Sequence, residues 1–358
     1  MNRKLQAYLR RRGATSEEIA QAERDGRVSL LTFDRMLMPG RPRYTFAEAC
    51  RRADFDEQVA KRLWRALGFP DPPPDERLFR NEDVDAMITL RRLIETTIVP
   101  RGTDSSELVQ NVRVIGGALA RIAEVQSDSM VDVIRAELEA GRADEEIARQ
   151  LPDRLDWDRL SRLLDYALRL QLRATARRKL TSADPTTIGA EQLAVGFVDL
   201  VGYTALSQEL DPHELAALVS RFEELAYDTV AENAGRVVKT IGDEVMFVAP
   251  VVADAARIAL RLTERSAVDE LLPEARAGLA AGSMLAQEGD YYGPVVNLAS
   301  RLVELARPGG VLTSSELRDA LADDPQFSWH RLRGRRLRDI GRVEVWALER
   351  ARQEVVEP

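Results

Sequence analysis

Apolar positions in the first half of the chain recur at helical spacing. Leu5, Tyr8 and Leu9 share a helical face before Gly13. Thr15-Ser16-Glu17-Glu18 predicts a helix start ahead of Ile19. Thr45 with Glu48 fits a capping box, in which each residue serves the other's backbone N–H. Val59, Leu63, Trp64 and Leu67 follow at helical spacing and stop at Gly68. Phe69-Pro70-Asp71-Pro72-Pro73-Pro74 then predicts a stiff, extended connector. Val84, Met87, Ile88, Ile94 and Ile98 mark a further helix ended by Pro100. Two long helical patterns cover 105–139 and 157–179, the second carrying Leu160, Leu163, Leu164, Ala167, Leu168 and Leu170. The pattern predicts an all-α domain over 1–180.

Residues 181–187, Thr-Ser-Ala-Asp-Pro-Thr-Thr, read as a linker, taken as 181–190, and the periodicity changes beyond them. Leu193 to Val198 is a short apolar run, followed by a turn and a helical stretch over about 212–233. Val237 to Val248 alternates like two strands around Ile241-Gly242-Asp243. A helix near 252–268, a strand near 276–285 and a helix over about 294–306 come next, with strands expected near 310–313, 326–332 and 342–348. Strands interleaved with helices predict an α/β sandwich over 191–350.

Composition narrows the setting. With 358 residues, 45% hydrophobic and 31% charged, the chain has the apolar content for two cores. No apolar run approaches the ~18 residues of a membrane helix. The basic start Met1-Asn2-Arg3-Lys4 has no apolar stretch of the kind a signal peptide needs. Cys50 is the single cysteine, which excludes an intrachain disulfide and a cysteine-based zinc site. These features predict a cytoplasmic protein without a transmembrane segment. Residues 1–180 hold 33 basic and 30 acidic side chains, whereas 181–358 hold 18 and 29. The acidic second half disfavours a polyanion but suits divalent cations.

Three segments of that half carry candidate chemistry. In Val195-Gly196-Phe197-Val198-Asp199-Leu200-Val201-Gly202 a carboxylate ends an apolar strand and a glycine-containing turn follows. Such a turn can offer backbone N–H groups to phosphate, although Asp199 could simply begin the turn. Val237 to Phe247 reads as a hairpin with Gly242-Asp243 at its tip. Two aspartates at neighbouring strand ends could share two divalent ions about 3.5–4 Å apart, the arrangement used in phosphoryl chemistry. The hairpin also contains Lys239. The chain has 47 arginines and only four lysines, Lys4, Lys61, Lys179 and Lys239. A compact ammonium is not interchangeable with a guanidinium, so this lysine stands out, though its survival by chance is the plain alternative. Finally, Gly289-Asp290-Tyr291-Tyr292-Gly293-Pro294 leads into a helix on which Asn297 and Arg301 lie one turn apart. They form either a solvated surface pair or part of an anion site.

Taken together, in this order and spacing, the three segments resemble the catalytic domain of class III nucleotidyl cyclases over about 190–348. The resemblance implies a ferredoxin-like α/β fold. It also implies metal-binding roles for Asp199 and Asp243 with two Mg²⁺ or Mn²⁺ ions per site, and purine contacts from Lys239 and Asp290. Asn297 is implied as the residue orienting the ribose and Arg301 as the one stabilising the transition state. A homodimer is implied as well, with the two aspartates from one subunit and the other four residues from its partner. The base contacts are chemically apt. Adenine offers N1 as acceptor and its amino group as donor, and lysine can only donate where a carboxylate only accepts. Guanine reverses this pattern, so ATP is expected over GTP. The expected reaction is attack of the ribose 3′-hydroxyl on the α-phosphorus, giving 3′,5′-cyclic AMP and pyrophosphate. Of the basic cluster Arg335, Arg336 and Arg338, Arg338 is the candidate for the triphosphate. Ile241-Gly242-Asp243-Glu244-Val245 also resembles the Gly-Gly-Asp-Glu-Phe signature of diguanylate cyclases. Ile241 and Val245 depart from it, and that family does not account for Lys239 or the Asn297/Arg301 helix.

A helical domain before such a catalytic domain resembles the mycobacterial-type adenylate cyclases with an autoinhibitory, pH-sensing N-terminal module, in which fatty acid binding is also known. That implies regulation by the helical half, with a lipid or a proton as possible ligand. The only histidines, His213 and His330, lie in the second half, so the helical half holds no group that titrates near neutrality unperturbed. Residues 44–92 also resemble, loosely, the helix-turn-helix of mercury-resistance-type regulators. The alternative reading is therefore a DNA- or ligand-binding regulator whose cyclase domain binds nucleotide without turning it over. Residues 1–80 carry 17 basic and 12 acidic residues, short of a DNA-binding footprint, so a scaffold without DNA is favoured.

Overall fold

The computed structural model describes residues 1–96, 105–181, 190–332, 334–337 and 340–351. Most of the expected linker, and Arg338, lie outside the described residues. The chain divides into two compact units, Met1–Arg177 and Arg178–Pro358.

The first unit is helical: α1 (Arg3–Arg11), α2 (Ser16–Asp25), α3 (Val28–Leu37), α4 (Phe46–Ala53), α5 (Glu57–Ala66), α6 (Asn81–Thr96), α7 (Ser105–Glu139), α8 (Asp144–Arg154) and α9 (Trp157–Thr181), the last running on past the unit's end. The capping box expected from sequence forms between Thr45 and Glu48, and the helix start expected at Thr15 also closes as a capping box with Glu18. α3 lacks a side-chain cap of its own. Asp144, at the start of α8, supplies it from far along the chain by accepting the Val28 N–H at 2.5 Å. The sequence pattern had not predicted α8. Pro152 reads as a breaker, but it lies in the helix's last turn. One core joins Leu5, Leu9, Ile19, Val28 and Ala148. A second joins Phe46, Cys50, Ala60, Phe79 and Val84. In the second, the Phe79 ring lies 5.4 Å from both Phe46 and Trp64. An antiparallel bridge from Tyr44 to Phe79 closes the helix-turn-helix-like segment.

The second unit contains β1 (Ala190–Leu200), α10 (Tyr203–Glu209), α11 (Pro212–Glu232), β2 (Arg236–Ile241), β3 (Glu244–Ala249), α12 (Val252–Val268), β4 (Ala275–Gln287), β5 (Asp290–Tyr292), α13 (Pro294–Leu305), β6 (Val311–Thr313), α14 (Ser315–Ala320), β7 (Phe327–Arg331), β8 (Arg335–Leu337), β9 (Gly341–Val343) and β10 (Trp346–Arg350). The main sheet runs β2-β3-β1-β4-β6-β10-β7, with β5 paired to β4. Its first four strands with α11 and α12 form a βαββαβ unit, the ferredoxin-like arrangement. All pairings are antiparallel except β4 with β6. The single strand expected over 342–348 is in fact two, because the chain leaves β8 and joins β6 and β7 within that stretch.

The sheet's two faces are covered differently. α11 and α12 bury one face through Leu218, Phe222, Val230, Ile258 and Leu262 against Val198, Phe247 and Leu279. On the other face, Val195, Phe197, Met246 and Val248 share a core with Ala299 and Val303 of α13. α13 sits very close to the sheet: a Cβ on Gly278 would fall 2.2 Å from the Val303 nitrogen, so only glycine fits beneath this helix.

Candidate active site

Strand alternation places Asp199 on the α13 face, the same side as Val195 and Phe197. It is the middle of a cross-strand row, opposite Glu244 on β3 and Arg276 on β4. The Arg276 guanidinium donates to Asp199 Oδ2 from Nε at 2.8 Å and from Nη2 at 2.5 Å. The β2–β3 turn holds Asp243 close by. Gly242 adopts a left-handed conformation at φ 62°, which a residue with a side chain takes up at a cost. The Leu200 N–H donates to the Asp243 carbonyl at 3.3 Å, tying the turn to the end of β1. The Asp243 carboxyl lies near enough to Asp199 for the two acids to act on each other.

This crowding shows in the acid–base balance. Burial, and then the Asp199 carboxyl, push the Asp243 carboxyl up to about 6, with Arg276 opposing. Burial together with Asp199, Asp243 and Glu304 pushes Glu244 up to about 7. Three carboxyls answered by one adjacent guanidinium lack positive charge. The donor set fits a divalent cation, since hard carboxylate oxygens at adjacent strand ends suit Mg²⁺ or Mn²⁺. Among the described residues no group of three or more His, Cys, Asp or Glu forms a ready-made metal cage. Two carboxylates completed by substrate phosphates are nonetheless a usual Mg²⁺ arrangement.

Lys239 reaches the same face through an irregularity. Val237 pairs with Phe247, on the face of α11 and α12, but Lys239 pairs with Met246, on the α13 face. The register shift between Val237 and Lys239 is a β-bulge, and it re-aims the lysine. Its ammonium donates to Asp290 Oδ2 at 2.5 Å, while Asp290 Oδ1 accepts the Tyr291 N–H at 2.8 Å. Asn297 and Arg301 lie one turn apart on α13, with Asn297 exposed. Arg301 donates to Glu304 on its own helix at 2.6 Å, and the Glu304 carbonyl accepts from Arg276 at 3.2 Å.

The six residues singled out in sequence are thus arranged as three pairs within one unit: Asp199 with Asp243, Lys239 with Asp290, and Asn297 with Arg301. Sequence reasoning missed Arg276, Glu244 and Glu304. Arg276 had a signal, being the one charged residue of the apolar strand β4. Glu244 and Glu304 had none, since their importance comes from cross-strand and helix-to-strand neighbours. The two histidines stand outside this cluster: the His213 N–H donates to the helix cap Asp211, and His330 pairs with Glu349.

Comparison with known proteins covers both units. Residues 2–176 match the family described as adenylate cyclase regulatory domain, and residues 187–350 match the adenylate and guanylate cyclase catalytic domain. An adenylate cyclase of Streptomyces coelicolor is 34% identical over 346 residues, 89% of each chain. A pH-sensitive adenylate cyclase of Mycobacterium tuberculosis is 31% identical over 362 residues, spanning 97% of this chain and 87% of its own. Among solved structures, the adenylyl cyclase CyaB from P. aeruginosa matches 46% of this chain and 97% of its own at 22% identity, with a TM-score of 0.40. Among the described residues no helix is long and apolar enough to cross a membrane.

Proposed function

Because the chain belongs to the class III adenylate cyclase family, with that family's regulatory domain ahead of its catalytic domain, we propose that it converts ATP to 3′,5′-cyclic AMP and pyrophosphate, by a two-metal mechanism, at sites shared between two copies. Residues 1–180 are the regulatory part and 191–350 the catalytic part. One observation carries the reading: the Asp199–Asp243 carboxyl pair lies on the same sheet face as Lys239, which is paired with Asp290.

Asp199 and Asp243 hold two Mg²⁺ or Mn²⁺ ions, which when bound supply Lewis acidity at the 3′-hydroxyl and countercharge for the triphosphate. Arg276 neutralises Asp199 when no cation is there. Lys239 donates to adenine N1 and Asp290 accepts from the amino group, so the direct bond between them opens as the base enters. Asn297 orients the ribose. Arg301 leaves Glu304 and meets the charge that develops on the transferring phosphoryl group. Asp243→Ala in the full-length protein should abolish cyclic AMP formation from ATP and Mn²⁺ while nucleotide still binds. Full activity in that variant would remove the metal assignment.

The dimer reading is supported by the exposed apolar side chains of the helical half, among them Ile115 and Val125 on α7 and Leu163 and Leu172 on α9. For the regulatory signal, the first unit contains an apolar cavity of about 430 Å³ lined by Phe33, Met36, Leu119, Ile122, Trp157 and Leu160. With no histidine in that unit, an acyl chain in this cavity is favoured over a proton as the ligand. The helix-turn-helix-like segment serves as scaffold. On α5, Lys61 and Arg65 are paired with Asp71, and Asp56 and Glu57 stand at the helix's start, which suits DNA poorly.

A further inference from the structure

Strands β3 and β1 lie between β2 and β4 in the sheet, and β5 is bonded to β4 alone. Lys239 on β2 and Asp290 on β5 therefore cannot meet along a ladder. They meet across the sheet's face, and one residue further on a second link spans the same gap. The Tyr291 hydroxyl donates to Glu191 Oε2 on β1 at 3.0 Å and accepts from Arg236 Nη2 on β2 at 3.2 Å. The Arg236 guanidinium also lies over the Tyr291 ring, 5.5 Å from its centre. The ring is buried, 8% exposed, in the core beneath α13.

We propose that Tyr291 is the positioning residue of the purine pocket: its hydroxyl, held between Glu191 and Arg236, keeps the β4–β5 hairpin over the sheet so that Lys239 and Asp290 stay opposed when a base separates them. This rests on the reading of Lys239 and Asp290 as the purine contacts. In the free chain those two side chains hold each other. Once adenine lies between them that direct tie is gone, and β5, three residues long and paired only to β4, needs another anchor. A phenol suits the task because it donates once and accepts once, matching one carboxylate and one guanidinium. Burial pushes the phenol above its ordinary value, so it keeps its proton. The consequence is selectivity. If the hairpin drifts, the Lys239–Asp290 spacing no longer fits adenine's donor and acceptor, and discrimination against GTP weakens more than turnover does.

The test compares kcat/KM for ATP and for GTP in full-length protein carrying Tyr291→Phe, Glu191→Ala, Glu191→Gln or Asp290→Ala. Tyr291→Phe keeps the ring and removes the hydroxyl. It should lower the ATP:GTP ratio about tenfold, mainly through KM for ATP. Glu191→Ala should follow it and carries the same prediction should Tyr291→Phe fail to fold. Glu191→Gln retains an acceptor and should hold the wild-type ratio. Equal losses with both nucleotides would mark a merely structural role and overturn the proposal. If Asp290→Ala shifts the ratio but Tyr291→Phe and Glu191→Ala do not, the positioning role fails and the purine reading stands. A ratio unmoved by Asp290→Ala overturns the purine reading and this inference with it.

Discussion

At the scale of single residues, the catalytic unit keeps negative charge where folding alone would avoid it. Asp199, Asp243 and Glu244 cluster at two strand ends, and burial raises Asp243 to about 6 and Glu244 to about 7. In the unfolded chain both titrate near 4. Between these values the folded protein binds protons that the unfolded chain has released. The stability they contribute is therefore complete below about pH 4 and lost as pH rises through about 6 to 7. The carboxyls held low elsewhere, such as Asp71 at about 2 beside Arg65, are already ionised in that window and do not mask it. In EDTA, the Tm of the protein should fall between about pH 5 and 7.5. Saturating Mn²⁺ should raise Tm more at pH 7.5 than at pH 5, since the cation needs ionised carboxylates. An equal or larger metal increment at pH 5 would disconnect this cluster from metal binding. The sequence made the two aspartates legible, because each follows or precedes a recognisable strand and turn. It could not show Glu244 or Arg276 as their neighbours, because strand register decides that.

At the scale of elements, periodicity predicted the long, one-faced pieces well, and the structure has α12 over Val252–Val268 and α13 over Pro294–Leu305 close to where apolar spacing put them. What escaped, besides α8 with its internal Pro152, were short or irregular pieces. α14 is six residues and β5 three, too short for a period to register. The bulge that turns Lys239 is a one-residue event with no sequence mark, yet it decides which face the lysine serves. The contact between α13 and the sheet was equally hidden, since Gly278 in an apolar strand could have been any small residue. The helix backbone passes so near that Gly278→Ala must push α13 away: the new Cβ would meet Val303 N at 2.2 Å and Ala299 O at 2.4 Å. The variant should lose about 1–3 kcal/mol of stability, read as a lower urea midpoint. It should also lose cyclic AMP formation, because Asn297 and Arg301 ride on the displaced helix. Wild-type activity in a stable Gly278→Ala protein would mean that neither residue needs its position.

At the scale of the whole molecule, the proposed site is shared between two copies of the chain. Arg301 is bonded to Glu304 on its own helix, and the acidic pair is answered by Arg276 of its own strand row. If two copies combine, the metal-binding half of one faces the base- and phosphate-binding half of the other, and each dimer has two such sites. This arrangement makes a prediction that no single-chain site shares. Asp243→Ala breaks only the metal half, and Arg301→Ala breaks only the other half, so each homodimer should be inactive. In a mixed dimer, one site inherits both defects and its companion inherits neither. With free exchange at equal concentrations, half the dimers are mixed and each carries one intact site of two. Cyclic AMP formation should then recover to about a quarter of the wild-type rate per chain, and it should fall on dilution as dimers dissociate. Had each chain held a complete site, mixing two dead variants could restore nothing. A mixture as inactive as its parents, in a sample shown to contain mixed dimers, would therefore place the chemistry within a single subunit.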